Sequence, residues 1–493
     1  MVAAIRVRQW LLRACRTYWP LLLVVLVAFL VRLWAITSFM PECTPEQKAA
    51  GRAVYDCYVL GGDALVYNSV AENVANGHGY TILSYVTWEY IPAADHPPGY
   101  ITLLAVLDWF GFPEISHHRF ALAIVGSAGV GFVGLLGWRL GGRHGPIAGV
   151  VAGLIAALYP GFWMNEAYYM SESWFMPWVA LTLLGAYRFW RTPGWVNALL
   201  MGFAGGMAWL VRGEAALVLG FICVGFVLFL KGIGFWRKLA LGAAACGMCV
   251  ALMLPWVIYN LNRFPEPIFV AATGTAFALN SCDEVWYGPA AGFYSFGCLN
   301  QYTIQARAED PYGELTDSGL RRLATQYISE NLSRYPAVMV IRVGRVFGVY
   351  MIDDTTKRNY LNEGRKPDAV IWQQRFYYAM ALFSIPGLVS MRRRKVPISP
   401  IVATVLAVAA GVAGTFAIFR YRTAADVALC ATAGVGIVFL VGLLSQFVTR
   451  GERDADVDAG DAGAEGTPDR PAPRAGAQDI LLIGSTDWFN GGR

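Results

Sequence analysis

Charge is what this chain has least of. Asp, Glu, Lys and Arg together make up 15% of its 493 residues, and there are five histidines. Missing too are the fingerprints of nucleotide chemistry. There is no Gly-rich P-loop ending in Lys-Ser or Lys-Thr, no Rossmann glycine triplet and no zinc-protease helix. No nucleic-acid-binding pattern occurs, and the net charge of +5 is accounted for by short basic loops. No histidine lies at ligand spacing from the cysteines outside the apolar runs, so no metal centre is expected.

What is abundant is apolar surface. The chain is 56% hydrophobic and carries 17 Trp, 24 Tyr and 27 Phe. One soluble core cannot hide that much, whereas many helices facing lipid can. Arg6, Arg8, Arg13 and Arg16 precede the first apolar run with no acid among them, which keeps residues 1–19 cytoplasmic by the positive-inside rule. Leu21–Phe39 follows, with Arg32 as its one interior charge and no small-residue cleavage site, so it reads as a retained span. Further candidates lie at 119–138, 145–163, 170–188, 196–211, 214–231, 238–260, 375–391, 397–419 and 424–447. Segment 99–112 is too short to cross. The sequence therefore predicts an all-α polytopic membrane protein of about 10–13 spans.

Its expected parts are a membrane body over 20–261 containing an external loop at 40–98, an external segment at 262–373, further spans at 374–447, and a cytoplasmic tail at 448–493. In the external segment, Asn280–Gly292 is turn-rich, Pro311–Tyr335 reads as a polar helix, and Val338–Tyr350 reads as a helix lying in the interface. Residues 451–493 hold nine acids against four arginines and read as disordered. Arg392–Lys395 marks a cytoplasmic connection. Of the nine cysteines, Cys15, Cys223, Cys246, Cys249 and Cys430 fall in or beside apolar runs and read as small hydrophobes. Cys43, Cys57, Cys282 and Cys298 fall in the two external regions, as an oxidising compartment allows. Local pairs Cys43–Cys57 and Cys282–Cys298 are favoured among three connectivities.

Charged residues beside apolar runs supply the chemistry candidates. Gly61-Gly62-Asp63 follows the first span, and Asp95-His96-Pro97-Pro98-Gly99-Tyr100 closes the same loop. Tyr159-Pro160-Gly161-Phe162-Trp163 leads to Glu166 and Glu172. Arg212-Gly213-Glu214 interrupts an apolar stretch, and Arg420-Tyr421-Arg422 precedes the last. Charges so placed are costly unless they face a cavity or one another. Each also has a plainer reading: Asp63 as a helix cap, His96 as a turn residue facing water, Glu172 as a first-turn acid favoured by the helix dipole, and the arginines as interface anchors.

In that element order the chain resembles the GT-C glycosyltransferases. More narrowly it looks like their family 39, which includes protein O-mannosyltransferases and lipid A aminoarabinose transferases. The resemblance covers most of residues 20–445. It extends to Asn280-Ser281-Cys282-Asp283-Glu284, Gly297-Cys298 and Asn362-Glu363-Gly364-Arg365, which look like a bacterial branch. It implies a helical membrane body roofed by the first loop and the external segment. It further implies transfer of a single mannose-like or pentose-like sugar from a polyprenyl-phosphate donor to an envelope glycan, lipid or protein acceptor at the outer face of the inner membrane. Asp63 would be the general base and Glu172 a second catalytic acid, while His96, Tyr100, Arg212, Glu214, Arg420 and Arg422 would bind the donor. Many relatives have an Asp-Glu pair where this chain has Asp63-Ala64, which weakens the case for a divalent metal. No cofactor is expected. A polymerase or ligase of lipid-linked glycans stays open as an alternative. So does a multi-span transporter, although the internal repeat expected of one is absent.

Overall fold

The computed structural model describes residues 2–38, 46, 49, 60–84, 88–264, 266–309 and 316–461, with backbone alone at 2–16, 306–309 and 447–461. Cys43, Cys57 and the tail beyond residue 461 lie outside the described residues.

Helix dominates. In chain order the elements are α1 (Val2–Ser38), α2 (Asp63–Ala75), β1 (Thr81–Leu83), β2 (Tyr90–Pro92), α3 (Pro98–Trp109), α4 (Ile115–Leu140), α5 (Gly145–Leu158), α6 (Pro160–Ala167), α7 (Glu172–Arg191), α8 (Trp195–Val211), α9 (Ala215–Phe229) and α10 (Phe235–Leu261). Residues 262–373 add α11 (Gly274–Leu279), α12 (Asp283–Trp286), α13 (Phe296–Glu309), α14 (Asp317–Glu330), α15 (Tyr335–Val346) and α16 (Ile352–Asn362). The chain then returns through α17 (Pro367–Arg393), α18 (Ser399–Gly414), a 3₁₀ turn at Phe419–Arg422 and α19 (Thr423–Asp461).

Among the described residues, four helices are long and apolar enough to cross a membrane: Thr17–Ser38, α4, α10 and Phe419–Gln446. Gly142–Leu158 with α6 makes a fifth, bent by 48°. The bend falls where Tyr159 is extended ahead of Pro160, because a residue before proline is driven out of the helical region. Helices α8, α9 and α18 are apolar but shorter. In α7 and α17 polar side chains such as Glu172, Gln373, Gln374 and Arg375 lie among the apolar ones. Each apolar segment read from the sequence is nonetheless a helix, and the whole is an all-α multi-pass membrane protein.

Small residues let the helices meet closely. A Cβ on Gly387 of α17 would enter the carbonyl of Thr432, and one on Gly436 of α19 that of Phe383, so these helices touch backbone to backbone. With no hydrophobic force between helices in lipid, such close van der Waals packing is what joins them. Within the body, Arg32 of α1 pairs with Glu166 of α6 at 3.1 Å, both fully buried.

Helix α3 is 12 residues long, roughly 18 Å at 1.5 Å per residue, too short to cross. It packs on α2 and α8. The first loop also contains an antiparallel hairpin in the register Thr81↔Pro92, Ile82↔Ile91 and Leu83↔Tyr90. No pattern of residues signals it, since three-residue strands are too short to show alternation.

Within residues 262–373 the Cys282–Cys298 disulfide is formed, and it packs with Val285, Trp286, Ala290 and Val338. Arg342 and Arg345 of α15 turn inward. Arg342 donates to the carbonyls of Ala413 at 3.0 Å and Asn280 at 2.9 Å, and Arg345 to that of Ala291 at 2.6 Å. They satisfy carbonyls that a loop and a helix end leave without partners.

Candidate active site

The first loop meets the membrane body at a cluster of opposite charges. Gly62 holds the N-cap of α2 at φ +55°, a left-handed conformation that suits glycine, and Asp63 is the first helical residue. The cap position is thus taken by Gly62, which leaves the Asp63 carboxylate free to point elsewhere. Its Oδ2 accepts from Nη2 of Arg420 at 2.5 Å, and its Oδ1 lies 3.8 Å from Nε2 of His96. Burial works to raise the Asp63 carboxyl, but Arg420 outweighs it and holds it well below the ordinary carboxylate range. Asp63 is therefore ionised at neutral pH.

His96 is delivered by Pro97, the extended N-cap of α3, with Pro98 as its first residue. Burial lowers its imidazole against the opposing pull of Asp63, so it stands neutral. Its ring packs 4.5 Å from that of Tyr67, whose hydroxyl lies 3.5 Å from Nδ1. Tyr67 in turn donates to Oγ of Ser171 at 3.2 Å. Burial, then the neighbouring Asp63, push its phenol far up and keep it neutral. Tyr100 is fully buried behind these groups, edge-on to Tyr67 at 4.9 Å, and does not reach the charged cluster.

Glu172 opens α7 and is fully buried. It accepts from Nη1 of Arg212 and lies 3.8 Å from Nη1 of Arg420. Arg212 ends α8 in extended conformation, which aims its side chain back at the site. Its Nε donates to Glu214 at 2.5 Å, and its guanidinium sits 5.0 Å from the ring of Tyr421. Glu166, the competitor for the acidic role, is spent on Arg32 instead.

Arg420 is the hub. Besides Asp63 and Glu172 it faces Glu363, 3.2 Å from its Nε. Arg422 is not brought to this cluster. A 3₁₀ turn has three residues per revolution, so positions two apart point to different faces. Arg422 is fully buried, pairing with Asp426 at 2.9 Å and donating to Tyr159 and to the Val346 carbonyl, with its guanidinium 3.4 Å from the Tyr377 ring centroid. Its donors are used within the fold, so the donor-binding role expected of it has no support in this geometry.

Two residues given no role from sequence belong here. Glu363 and Arg365 flank Gly364, which turns at φ +60° just before α17. Arg365 is buried, 3.9 Å from Glu363 and 5.7 Å from the Tyr168 ring, and its Nε and Nη2 find no hydrogen-bond acceptor among the described residues. The loop closed by Cys282–Cys298 also reaches in, where Tyr294 donates to Glu363 at 3.3 Å. The Glu-Gly-Arg step mirrors Arg212-Gly213-Glu214, and that likeness was the available signal.

Four carboxylates thus converge on Arg212 and Arg420. Among them Asp63, Glu172 and Glu363 surround the Arg420 guanidinium, the place a cation would take if it displaced that side chain. Cys282, Glu284 and Cys298 also lie close enough to share an ion, but the disulfide removes both sulfurs as thiolate ligands.

No family profile matches the chain, and no curated protein does. Among solved structures it is similar to the archaeal oligosaccharyltransferase AglB from Archaeoglobus fulgidus, in complex with an inhibitory peptide and a dolichol-phosphate. The TM-score is 0.50 at 15% identity, over 89% of this chain and 52% of that one. ArnT from Cupriavidus metallidurans, bound to undecaprenyl phosphate, matches with a TM-score of 0.40 at 16% identity, over 84% and 77%. The chain spans about half the length of the oligosaccharyltransferase. With its helical body, its first loop and residues 262–373 around one charged site, this chain shares the membrane fold of that archaeal oligosaccharyltransferase over 89% of its length.

Proposed function

We propose that the chain transfers one sugar from a polyprenyl-phosphate carrier to a hydroxyl of an envelope glycan, lipid or protein, with inversion. The observation that carries this reading is the convergence of Asp63, Glu172, Glu363, Arg212 and Arg420 from well-separated segments onto the foot of the first loop, next to a buried Arg365 with unspent donors. A carboxylate beside guanidiniums at the rim of a lipid-facing body suits one acceptor proton and one leaving phosphate.

In this reading the donor phosphate takes oxygens to Arg420 and Arg365, whose planar forks fit two oxygens at once. Drawing Arg420 away removes the influence that holds Asp63 down and makes it a stronger base. Asp63 then accepts the acceptor's proton as that oxygen attacks the anomeric carbon. The bond from that carbon to the phosphate oxygen breaks, and polyprenyl phosphate leaves with the electron pair. Arg212, held by Glu172 and Glu214, steadies the growing negative charge, and His96 orients the sugar. With Arg212 and Arg420 beside the carboxylates, this reading assigns no step to a metal or other cofactor.

The active face is external, opposite the basic N-terminus and Arg392–Lys395, in the inner membrane. The test is transfer by the purified full chain in proteoliposomes, given a panel of labelled single-sugar polyprenyl phosphates beside oligosaccharide-bearing ones. Single-sugar transfer that Asp63→Asn lowers at least about 10²-fold supports the proposal. Transfer of oligosaccharides alone points to a ligase, and passage of label without bond formation to a transporter.

A further inference from the structure

Behind the charged cluster lies a second buried polar network that the proposed reaction does not use. Tyr169 stands in the turn between α6 and α7 with φ +59°, a left-handed conformation that side chains other than glycine seldom adopt. The turn is a regular helix ending. Met170 N–H donates to the Asn165 carbonyl at 2.8 Å and Tyr169 N–H to that of Glu166 at 3.4 Å, the pattern in which glycine normally takes the left-handed place. Tyrosine there is held by its side chain. Its hydroxyl lies 2.5 Å from Nδ1 of His118 and donates to Oδ1 of Asn68 at 3.1 Å, and Nε2 of His118 lies 2.7 Å from Oδ1 of Asp108. Tyr169 and His118 are buried.

Counting hydrogens, Tyr169 donates to Asn68 and accepts from His118 Nδ1, so one further proton occupies the bond between His118 and Asp108. The pair is neutral as a unit. Its members come from α2, α3, α4 and the α6–α7 turn. Three of those elements deliver site groups: α2 carries Asp63 and Tyr67, α3 follows His96, and the turn leads through Met170 and Ser171 to Glu172. Met170 Sδ lies 3.6 Å from Arg420 Nη1, and Ser171 Oγ is within 3.4 Å of Arg212 Nη1.

We infer that Tyr169, anchored by His118 and Asp108, is a positioning residue that sets where Ser171 and Glu172 stand relative to Asp63 on α2. It touches none of the reacting groups. Its strained backbone fixes the direction in which α7 begins, and its hydroxyl ties that direction to α2 through Asn68. Glycine would make the turn more cheaply but without the tie.

The inference rests on the transfer reaction proposed above, and one arm of its test does not. Tyr169→Phe keeps ring and strain and loses the tie. Tyr169→Gly relieves the strain and loses both. His118→Gln removes the anchor. For all three, in the full chain in nanodiscs, kcat with the best donor of the panel should fall at least about tenfold while KM for that donor moves less than about threefold, since misplacement of about 1 Å costs up to 10² in rate. The Tyr169→Phe, His118→Gln double variant should be no worse than the single ones, because the groups act as a unit. Hydrogen exchange, which needs no donor, should quicken at least about tenfold across 166–175 and 63–70 in Tyr169→Phe while protection in α17 and α19 is kept.

Parent-like kcat in Tyr169→Gly would overturn the inference, since the residue would then serve the turn alone. Unchanged exchange at 166–175 in Tyr169→Phe, or quickened exchange throughout the chain, would overturn it as well. If the parent transfers no sugar from any donor, the reaction fails as proposed and the exchange arm still decides the positioning.

Discussion

Replacing Arg420 by alanine should cost more stability than any other single change at the site. The guanidinium faces Asp63 at 2.5 Å, Glu363 at 3.2 Å and Glu172 at 3.8 Å, and its side chain is 10% exposed. Without it Glu172 keeps Arg212, Glu363 keeps only Arg365 at 3.9 Å, and Asp63 loses its guanidinium. Breaking a buried pair by deleting one partner costs about 3–5 kcal/mol, and with Asp63 and Glu363 both weakened that range applies. Asp63→Asn removes one partner of the same hub and leaves two. Asp63 is about a third exposed, so screening discounts its pair and the loss should be about 1 kcal/mol. Turnover should rank differently, because Asp63→Asn loses at least about 10²-fold through the base itself. Unfolding of both variants in mixed micelles, beside initial transfer rates, measures the two scales. Arg420→Ala no less stable than Asp63→Asn would refute the hub. The pH dependence adds a sign. Since the folded Asp63 carboxyl sits below the ordinary value of about 3.9, its share of stability is whole above that pH and is lost as pH falls below it. Parent and Asp63→Asn should therefore differ by a constant amount from pH 5 to 8 and converge only in stronger acid.

Arg212→Lys and Arg365→Lys keep charge but lose the two-pronged geometry, and both should impair transfer at least about tenfold; parent-like rates in both would remove the arginines from phosphate binding. Chelation by EDTA should leave transfer unchanged if Arg420 supplies the charge among the carboxylates, and loss restored by a divalent ion would assign that place to a metal. Replacing Cys282 and Cys298 by serine opens a loop of sequence separation 16, and should cost about 3 kcal/mol and slacken the Tyr294–Glu363 contact. On sealed cells, non-reducing peptide mapping should find Cys43, Cys57, Cys282 and Cys298 oxidised while external protease spares the tail; free thiols with a clipped tail would invert the topology.

The reach of the sequence followed the cost of charge. Asp63, His96, Glu172, Arg212 and Arg420 stood out because ionisable groups beside apolar helices are expensive unless they meet, and the structure brings these five together. Glu363 and Arg365 did not stand out, since the sequence around them is polar and a charge there costs little. Glu166 and Glu172 looked alike until the fold gave one to Arg32, 134 residues away, and the other to Arg212. Arg420 and Arg422 were separable only once the turn joining them was known to be 3₁₀. The apolar helices were legible because apolar length is a property of composition, whereas α13 and α16, which are polar, were not. The bend at Pro160 and the hairpin in the first loop depend on local dihedrals and pairing, which composition does not carry.

The pair between Asp63 and Arg420 joins residues 357 positions apart. A ribosome adding roughly 5–20 residues each second needs some tens of seconds to make that interval. Throughout that time Asp63 stands at the membrane rim with its guanidinium not yet synthesised. Glu172 waits alone until Arg212 emerges, and the acids stay in excess until the last helix is about to insert. Docking of that helix therefore brings in, as one late event, the guanidinium that Asp63, Glu172 and Glu363 face. A chain stalled before residue 420 would hold those three carboxylates without it.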